Sequence, residues 1–320
     1  MPALKLVMLG TGEFALPAFQ ALYETPHQVV GLYTQPERTG RGHHRLPPNP
    51  LKQWAIDRNT PVFQPENINT PESLAELRSL NADVFVVAAY GQILSPEFLS
   101  IPRLCSINIH ASLLSKYRGA SPIAYAIWKG EAEAGVSIIQ VVPKLDAGPV
   151  IAMGATPIGP DETAGSLEVR LSQLAIPLVK QSLDEIAAGT ARWTPQDDSQ
   201  ATRARKLTKQ QGAIDWNLSP REIDCHIRAM QPWPNAFTFV HKADQSPLRV
   251  LVLAVRSSSE RSQAAPGTIL RADKNGLIVK TGEADALEIV RLQPDGKRAM
   301  PATDFLRGYA LQPGDRVGPE

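Results

Sequence analysis

Two polar side chains stand two residues apart in Ser106-Ile107-Asn108-Ile109-His110. In a strand successive side chains point to opposite faces, so Ile107 and Ile109 share one face and Asn108 and His110 the other, about 6 to 7 Å apart along the backbone. Both can then reach one substrate atom from the same side. An asparagine amide donates hydrogen bonds without titrating, which suits an oxygen on which negative charge develops; one such donor is typically worth about 3 to 4 kcal/mol. An imidazole carries a proton near neutral pH, a contribution of roughly 100- to 10,000-fold. Asp146, in Leu145-Asp146-Ala147-Gly148, adds a carboxylate that can hydrogen-bond the imidazole, fix its tautomer and favour its charged form. Taken singly each residue has a structural reading, an aspartate in an Asp-x-Gly turn above all. The combination points to chemistry. Neither Asn108 nor His110 is a good acyl carrier, and Cys105, at the buried start of the strand, reads as core. Direct attack by the substrate's own nucleophile fits better than an acyl-enzyme.

These residues need a scaffold. Residues 4–9 are apolar except for Lys5 and end at Gly10, and residues 14–23 follow with helical spacing, so the chain opens as strand, tight turn, helix. Strands at 28–33, 62–63 and 84–88 alternate with helices at 51–57 and 71–80, which predicts right-handed crossovers and a parallel sheet. Residues 84–88 are a near-continuous apolar run, as in a strand covered on both faces, and lead out through Tyr90-Gly91. A ligand crevice is expected there, beyond the carboxyl ends of the strands. A helix at 123–128, a strand at 136–142 and a long amphipathic helix at 163–188 ended by Gly189 complete this part. The polar, aperiodic stretch that follows reads as a linker, giving domains at 1–189 and 206–320 joined by 190–205. Beyond it, a helix at 220–230 and short strands at 237–240, 248–254, 267–270, 277–281 and 287–292 suggest a small β-barrel of oligonucleotide-binding (OB) type. The expected fold class is thus α/β, a Rossmann-like parallel-sheet domain followed by a small OB-like barrel.

Gly10-Thr11-Gly12-Glu13-Phe14-Ala15 matches the G-x-G-x-x-A dinucleotide fingerprint, but the second strand ends Leu32-Tyr33-Thr34-Gln35-Pro36, without the acidic residue that would hold a ribose. A tight strand-to-helix turn is the reading kept.

At 320 residues two domains are expected, and 43% apolar with 20% charged residues is a soluble globular composition. The N-terminal apolar run spans four residues before Gly10, too short for a signal or membrane segment, so a cytoplasmic protein is expected. Cys105 and Cys225 lie far apart and outside any Cys-x-x-Cys pair, which fits a reducing compartment and supports neither a disulfide framework nor a metal site. Net charge is +1, but residues 201–320 carry 18 Lys+Arg against 13 Asp+Glu, so the basic surplus is C-terminal. That asymmetry suits either a polyanionic partner or an ordinary solvated surface. The long loop at 34–50 gathers Arg38, Arg41, His43, His44 and Arg45 among glycines and prolines.

Taken together, the chain resembles the folate-dependent formyltransferases over most of its length. The residues that carry the resemblance are GTGEFALPAF at 10–19, TQPERTGRG at 34–42, VVAAYGQIL at 86–94, SINIHASLL at 106–114, YRGASPI at 117–123, LDAGPV at 145–150, KLTKQQGAIDW at 206–216 and IRAMQPWPNAF at 227–237. The resemblance implies 10-formyltetrahydrofolate as formyl donor, the α-amine of initiator methionyl-tRNA as acceptor, no metal and a monomer. On it, Asn108 and His110 would polarise the formyl oxygen and manage protons, with Asp146 orienting them. Gly91, Gln92, Ile93 and Leu94 with Ser112, Leu113, Leu114 and Ser115 would line the folate pocket, and Arg38, Arg41 and Arg45 would contact tRNA phosphates. Three positions depart from the family's pattern: Ser115 and Gly12 where proline is usual, and His43-His44 where lysines are often found. Loss of the fixed proline φ at 115 would loosen the folate loop. Two alternatives remain open at this stage, a formyltransferase acting on an amino-sugar nucleotide and a noncatalytic RNA-binding protein built on a degenerate enzyme.

Overall fold

The computed structural model describes residues 2–37, 49–242, 246–282 and 284–319. The chain forms two units: Met1–Pro122, Glu133–Pro157 and Leu167–Arg205 make the first, and Ile123–Ala132, Ile158–Ser166 and Lys206–Glu320 the second. In chain order the elements up to residue 204 are β1 (Lys5–Gly10), α1 (Leu16–Leu22), β2 (Gln28–Tyr33), α2 (Pro50–Ile56), β3 (Val62–Phe63), α3 (Pro71–Ser79), β4 (Val84–Ala88), α4 (Pro96–Leu99), β5 (Cys105–His110), β6 (Arg118–Gly119), α5 (Pro122–Trp128), β7 (Glu133–Gln140), β8 (Val150–Pro157), α6 (Ala164–Ala188) and β9 (Arg203–Ala204).

Local sequence sets many of these boundaries. Asn49 and Thr70 cap α2 and α3 by accepting from Leu51 N and Ser73 N, and a proline opens each first turn, where its missing N–H is no loss. Every residue of β4 is buried, as a central strand covered on both faces requires. On α6, Leu167, Leu171, Ala175, Val179, Leu183 and Ile186 form one buried stripe at helical spacing.

The main sheet of the first unit has the order β3-β2-β1-β4-β5-β7-β8. From β3 to β5 every neighbour runs parallel; β7 lies antiparallel to β5 and β8 antiparallel to β7. The parallel sheet expected from the alternation is therefore extended by two antiparallel strands, and β8 is a strand that the sequence reading did not separate from the loop before it. A short loop between neighbouring strands allows only antiparallel pairing, and the loop between β7 and β8 is the one that carries Asp146. The chain runs outward from β1 to β3 and returns on the other side at β4, so the order reverses between β1 and β4, the kind of switch point beyond whose carboxyl ends ligands bind in open α/β sheets.

The two glycines of the N-terminal fingerprint serve the turn. A Cβ at Gly10 would lie 2.7 Å from Phe19 and 2.8 Å from the Ala88 carbonyl, and Gly12 has φ +86°. Close packing of α1 and β4 on the end of β1 demands the first glycine and the left-handed turn favours the second, without any dinucleotide.

The second unit adds α7 (Pro220–Ala229), β10 (Phe237–His241), β11 (Leu248–Ser258), β12 (Ile269–Asp273), β13 (Gly276–Lys280), β14 (Ala286–Pro294), β15 (Met300–Pro301), α8 (Ala302–Gly308) and β16 (Arg316–Gly318). Its antiparallel sheet has the order β12-β13-β14-β11-β10-β16. A bridge between Thr268 and Arg316, with Ile269 N donating to Asp315 O at 2.8 Å, joins the two ends and closes the sheet into a barrel. Closure leaves these strands no free edge, which is how a small all-β unit avoids pairing with other chains. Among the described residues no helix is long and apolar enough to cross a membrane.

His27 gives the first unit a pH limit. Its Nδ1 accepts from Leu4 N at 3.2 Å, and burial lowers its pKa below the usual 6.5 against the weaker opposing pull of Asp184. Because the unfolded chain binds the proton more readily, this contribution is complete above about pH 6.5 and is lost as pH falls below it, each unit of depression being worth about 1.4 kcal/mol. Denaturant melts between pH 7 and pH 5 will show the unmodified protein losing more stability than His27→Gln; equal losses would assign the acid limb to other groups.

Candidate active site

Asn108 and His110 stand at the carboxyl end of β5, on the face opposite Ile107 and Ile109, and Asp146 comes to both from the β7–β8 loop. The Asn108 amide Nδ2 donates to Asp146 Oδ1 at 3.5 Å, and His110 Nδ1 lies 3.7 Å from Asp146 Oδ2. Oδ2 also accepts from the Gly119 backbone N–H at 2.8 Å. His110 is 5% exposed, so its proton exchange is with this cluster and whatever binds beside it.

The histidine tautomer follows from its partners. His110 Nε2 lies 3.1 Å from the Tyr117 carbonyl oxygen, which only accepts, so Nε2 carries a hydrogen. Nδ1 is the nitrogen left to take up or release a proton, and it faces the carboxylate. The Asn108 bond is at the long end of the hydrogen-bonding range, so the amide can turn toward a developing oxyanion at small cost.

The backbone around this cluster is unusual. Ala89, Tyr117 and Asp146 have φ of 49°, 63° and 48°, in the left-handed region, where a non-glycine residue costs about 1–3 kcal/mol and persists only if its surroundings hold it. All three lie just past the carboxyl end of a strand or in the loops that follow. Tyr117 presents the carbonyl that orients His110, and Asp146 presents the carboxylate.

The segments expected to line a folate pocket leave neighbouring strands. Gly91, Gln92, Ile93 and Leu94 follow β4, and Ser112, Leu113, Leu114 and Ser115 follow β5. The Gln92 side chain is spent inside the protein: its Oε1 accepts from Ile68 N at 2.8 Å and its Nε2 donates to Pro65 O at 3.1 Å. Gln35 Nε2 donates to Tyr90 O at 2.8 Å and Asn69 Nδ2 to Ile93 O at 2.8 Å, so this segment is held from behind while the Ile93 side chain is 87% exposed.

Ser137 on β7 organises the other segment, and sequence reasoning missed it. Fully buried, it donates from Oγ to Ser112 O at 2.7 Å and accepts from Leu114 N at 3.2 Å. Leu113 packs over Gly135 on the same strand, where a Cβ would sit 2.3 Å from Leu113 Cδ2. The signal was there, a lone serine within the apolar run of a buried strand. Ser115, which stands where the family usually has proline, is buried beside these anchors, and the Leu114–Ser115 peptide bond is cis. Ser137→Ala would leave a buried N–H and carbonyl unpaired, at a cost of about 1–3 kcal/mol, and weaken folate binding. Denaturant melts with folate titration check this; lost stability with unchanged folate affinity would remove the segment from the pocket.

Cys105 is buried and its thiol is pushed up to about 11 by that burial, so it stays protonated and acts as core. Arg38, Arg41 and Arg45 lie outside the described residues. Among the described residues no cluster of three metal-ligating side chains occurs.

Known proteins resemble both units. The family model described as "Formyl transferase" matches residues 4–182, and that described as "Formyl transferase, C-terminal domain" matches residues 206–310. The "Methionyl-tRNA formyltransferase" of Rhodopirellula baltica is 39% identical, covering 98% of this chain and 97% of that protein. The protein of the same description from Citrifermentans bemidjiense is 42% identical, covering 99% and 98%. Among solved structures, an N-formyltransferase from Helicobacter canadensis, in complex with folinic acid and dTDP-3-aminofucose, has a TM-score of 0.65 at 16% identity, covering 89% of this chain and 98% of that one. At that identity the likeness speaks to the fold.

Proposed function

The chain belongs to the formyl transferase family, and on that premise we propose that it moves the formyl group of 10-formyltetrahydrofolate onto the α-amine of methionyl-tRNA, giving the N-formylmethionyl-tRNA of translation initiation. The observation that carries the reading is the convergence of Asn108 and His110 on Asp146, in a chain that matches methionyl-tRNA formyltransferases from end to end.

The folate supplies an activated formyl group; the protein supplies the rest. Asn108 donates to the formyl oxygen as negative charge grows there. His110 accepts the amine proton at Nδ1, with the resulting imidazolium held between Asp146 Oδ2 and the Tyr117 carbonyl, and passes it on to the departing nitrogen of the donor. Asp146 holds both partners and is itself held by Gly119 N. Gly91 to Leu94 and Ser112 to Ser115 line the folate pocket chiefly through backbone groups, consistent with the inward commitment of Gln92.

Residues 1–189 serve as the catalytic domain and 206–320 as the tRNA-binding domain, with 190–205 joining them. Supporting the second role, β10 and its partner β11 carry Phe237, Phe239 and Arg249 at partly exposed positions, with the Arg249 guanidinium 4.3 Å from the Phe237 ring. Aromatic and basic groups on one sheet face are what unpaired nucleotides stack on. Arg38, Arg41 and Arg45 add phosphate contacts from the N-terminal loop. The enzyme works as a cytoplasmic monomer, which sedimentation of the active protein and cell fractionation test.

The deciding experiment offers purified protein and 10-formyltetrahydrofolate either charged methionyl-tRNA or an amino-sugar nucleotide. Turnover of the tRNA, with a KM that rises steeply with salt, is the expected result. Turnover of the sugar alone would move the protein to the other branch of the fold, and turnover of neither would leave the noncatalytic reading.

A further inference from the structure

The polar stretch before Lys206 carries no periodic pattern, yet in the first unit it is strapped across the loops that hold His110 and Asp146. Val150 and Thr194 exchange backbone hydrogen bonds at 2.8 Å, and β9 pairs in parallel with β6. Thr202 takes two bonds from the loop after His110, Tyr117 N to its Oγ1 at 2.8 Å and Arg118 N to its carbonyl at 2.9 Å. The approach is so close that a Cβ on Gly119 would lie 2.4 Å from Ala204 O.

Gln196 sits in the middle of this strap with its whole amide engaged. Nε2 donates to Asp146 O and to Gly148 O, each at 2.8 Å, and Oε1 accepts from Arg118 Nε and Nη2 at 3.1 and 2.7 Å. Gly148 is pressed from the other side, since a Cβ there would lie 1.8 Å from Gln140 O. Asp146 has a left-handed backbone, and the two carbonyls that Gln196 grips are its own and that of Gly148, which follows two residues later. Arg118 is 8% exposed and pairs further with Asp198, which also binds Lys144, so the amide is itself held in place.

We infer that Gln196 is a positioning residue for the formyl transfer proposed above, fixing the backbone of residues 146–148 so that the Asp146 carboxylate meets His110 and Asn108. It touches neither of those side chains in any bond the structure gives; it acts through Asp146. A displacement of about 1 Å in a reacting group can cost roughly a hundredfold in rate, so the grip matters to chemistry more than to folding.

Gln196→Glu separates those two effects. The substitution is nearly isosteric and keeps an acceptor for Arg118, but it replaces the two donors to Asp146 O and Gly148 O with a carboxylate oxygen. Expected are a kcat lower by about 10- to 100-fold, KM values for folate and tRNA within about threefold of the unmodified enzyme, and no further loss when Gln196→Glu is added to Asp146→Asn. Unchanged kcat, a loss confined to KM, or losses that multiply in the double variant would overturn the inference. A second measurement is independent of turnover: in protein labelled with ¹⁵N-histidine, the ring resonances of His110, assigned by their absence in His110→Ala, shift in Gln196→Glu. If they stay in place the inference fails, whichever acceptor the enzyme uses; if they move while methionyl-tRNA is not formylated, only the acceptor assignment falls.

Discussion

Replacing Asn108 with alanine will lower the rate constant for formyl transfer about 100- to 1,000-fold, the usual cost of removing one donor aimed at a developing oxyanion. The structure says why the loss falls on the transition state and not on the fold. The side chain is partly exposed, and its bond to Asp146 Oδ1 is long, at 3.5 Å, whereas Gly119 N keeps Oδ2 engaged at 2.8 Å. Little stabilisation is therefore lost when the amide goes, about 1 kcal/mol or less. Single-turnover formylation of charged tRNA, alongside folate titration and denaturant melts, measures the three effects separately. A variant that formylates at the rate of the unmodified enzyme would end the oxyanion role.

His110→Ala carries the second large effect, a fall of about 100- to 10,000-fold, because in the proposed mechanism the proton is received at Nδ1, which faces Asp146. Here stability suffers as well. The imidazole is 5% exposed and donates to the Tyr117 carbonyl at 3.1 Å, so its removal gives up that bond and a buried ring next to a residue already in the left-handed region. A cost of about 1–3 kcal/mol follows. The missing ring also leaves a space of its own shape, so added imidazole should restore part of the rate in this variant and none in Asn108→Ala. Rescue of neither, with the His110 variant still folded and close to full activity, would mean that another group moves the proton.

The alternation of Ile107 and Ile109 with Asn108 and His110 was enough to place the two polar groups on one face, since a strand has only two faces. Most elements were legible for similar reasons: β2, β3 and β4 have the expected bounds, being short apolar runs closed by turn residues. The misses share a cause. No residue of β8 is fully buried, with Gly154 packed against α6 side chains, so its apolar signal is weak. The serine that anchors residues 112–114 stood within an apolar strand, and the glutamine behind Asp146 within a stretch with no pattern at all. Polar side chains that bond to distant carbonyls leave no local period to read, because their partners are set by the fold.

By itself the sequence determined the kind of chemistry and the family, because residue types and their spacing along one strand or turn are local properties, and a long set of such motifs is specific. The arginine-rich loop at 38–45 remains known through sequence alone. Only the tertiary structure decided how the cluster is assembled. It brought Asp146 across from the β7–β8 loop to both residues of β5, fixed the His110 tautomer through the Tyr117 carbonyl, and turned an apparent connector into the clamp on the Asp146 backbone. Hydrogen bonds between residues 38 and 50 positions apart exist only once the sheet has set those strands side by side, and no spacing along the chain encodes their geometry.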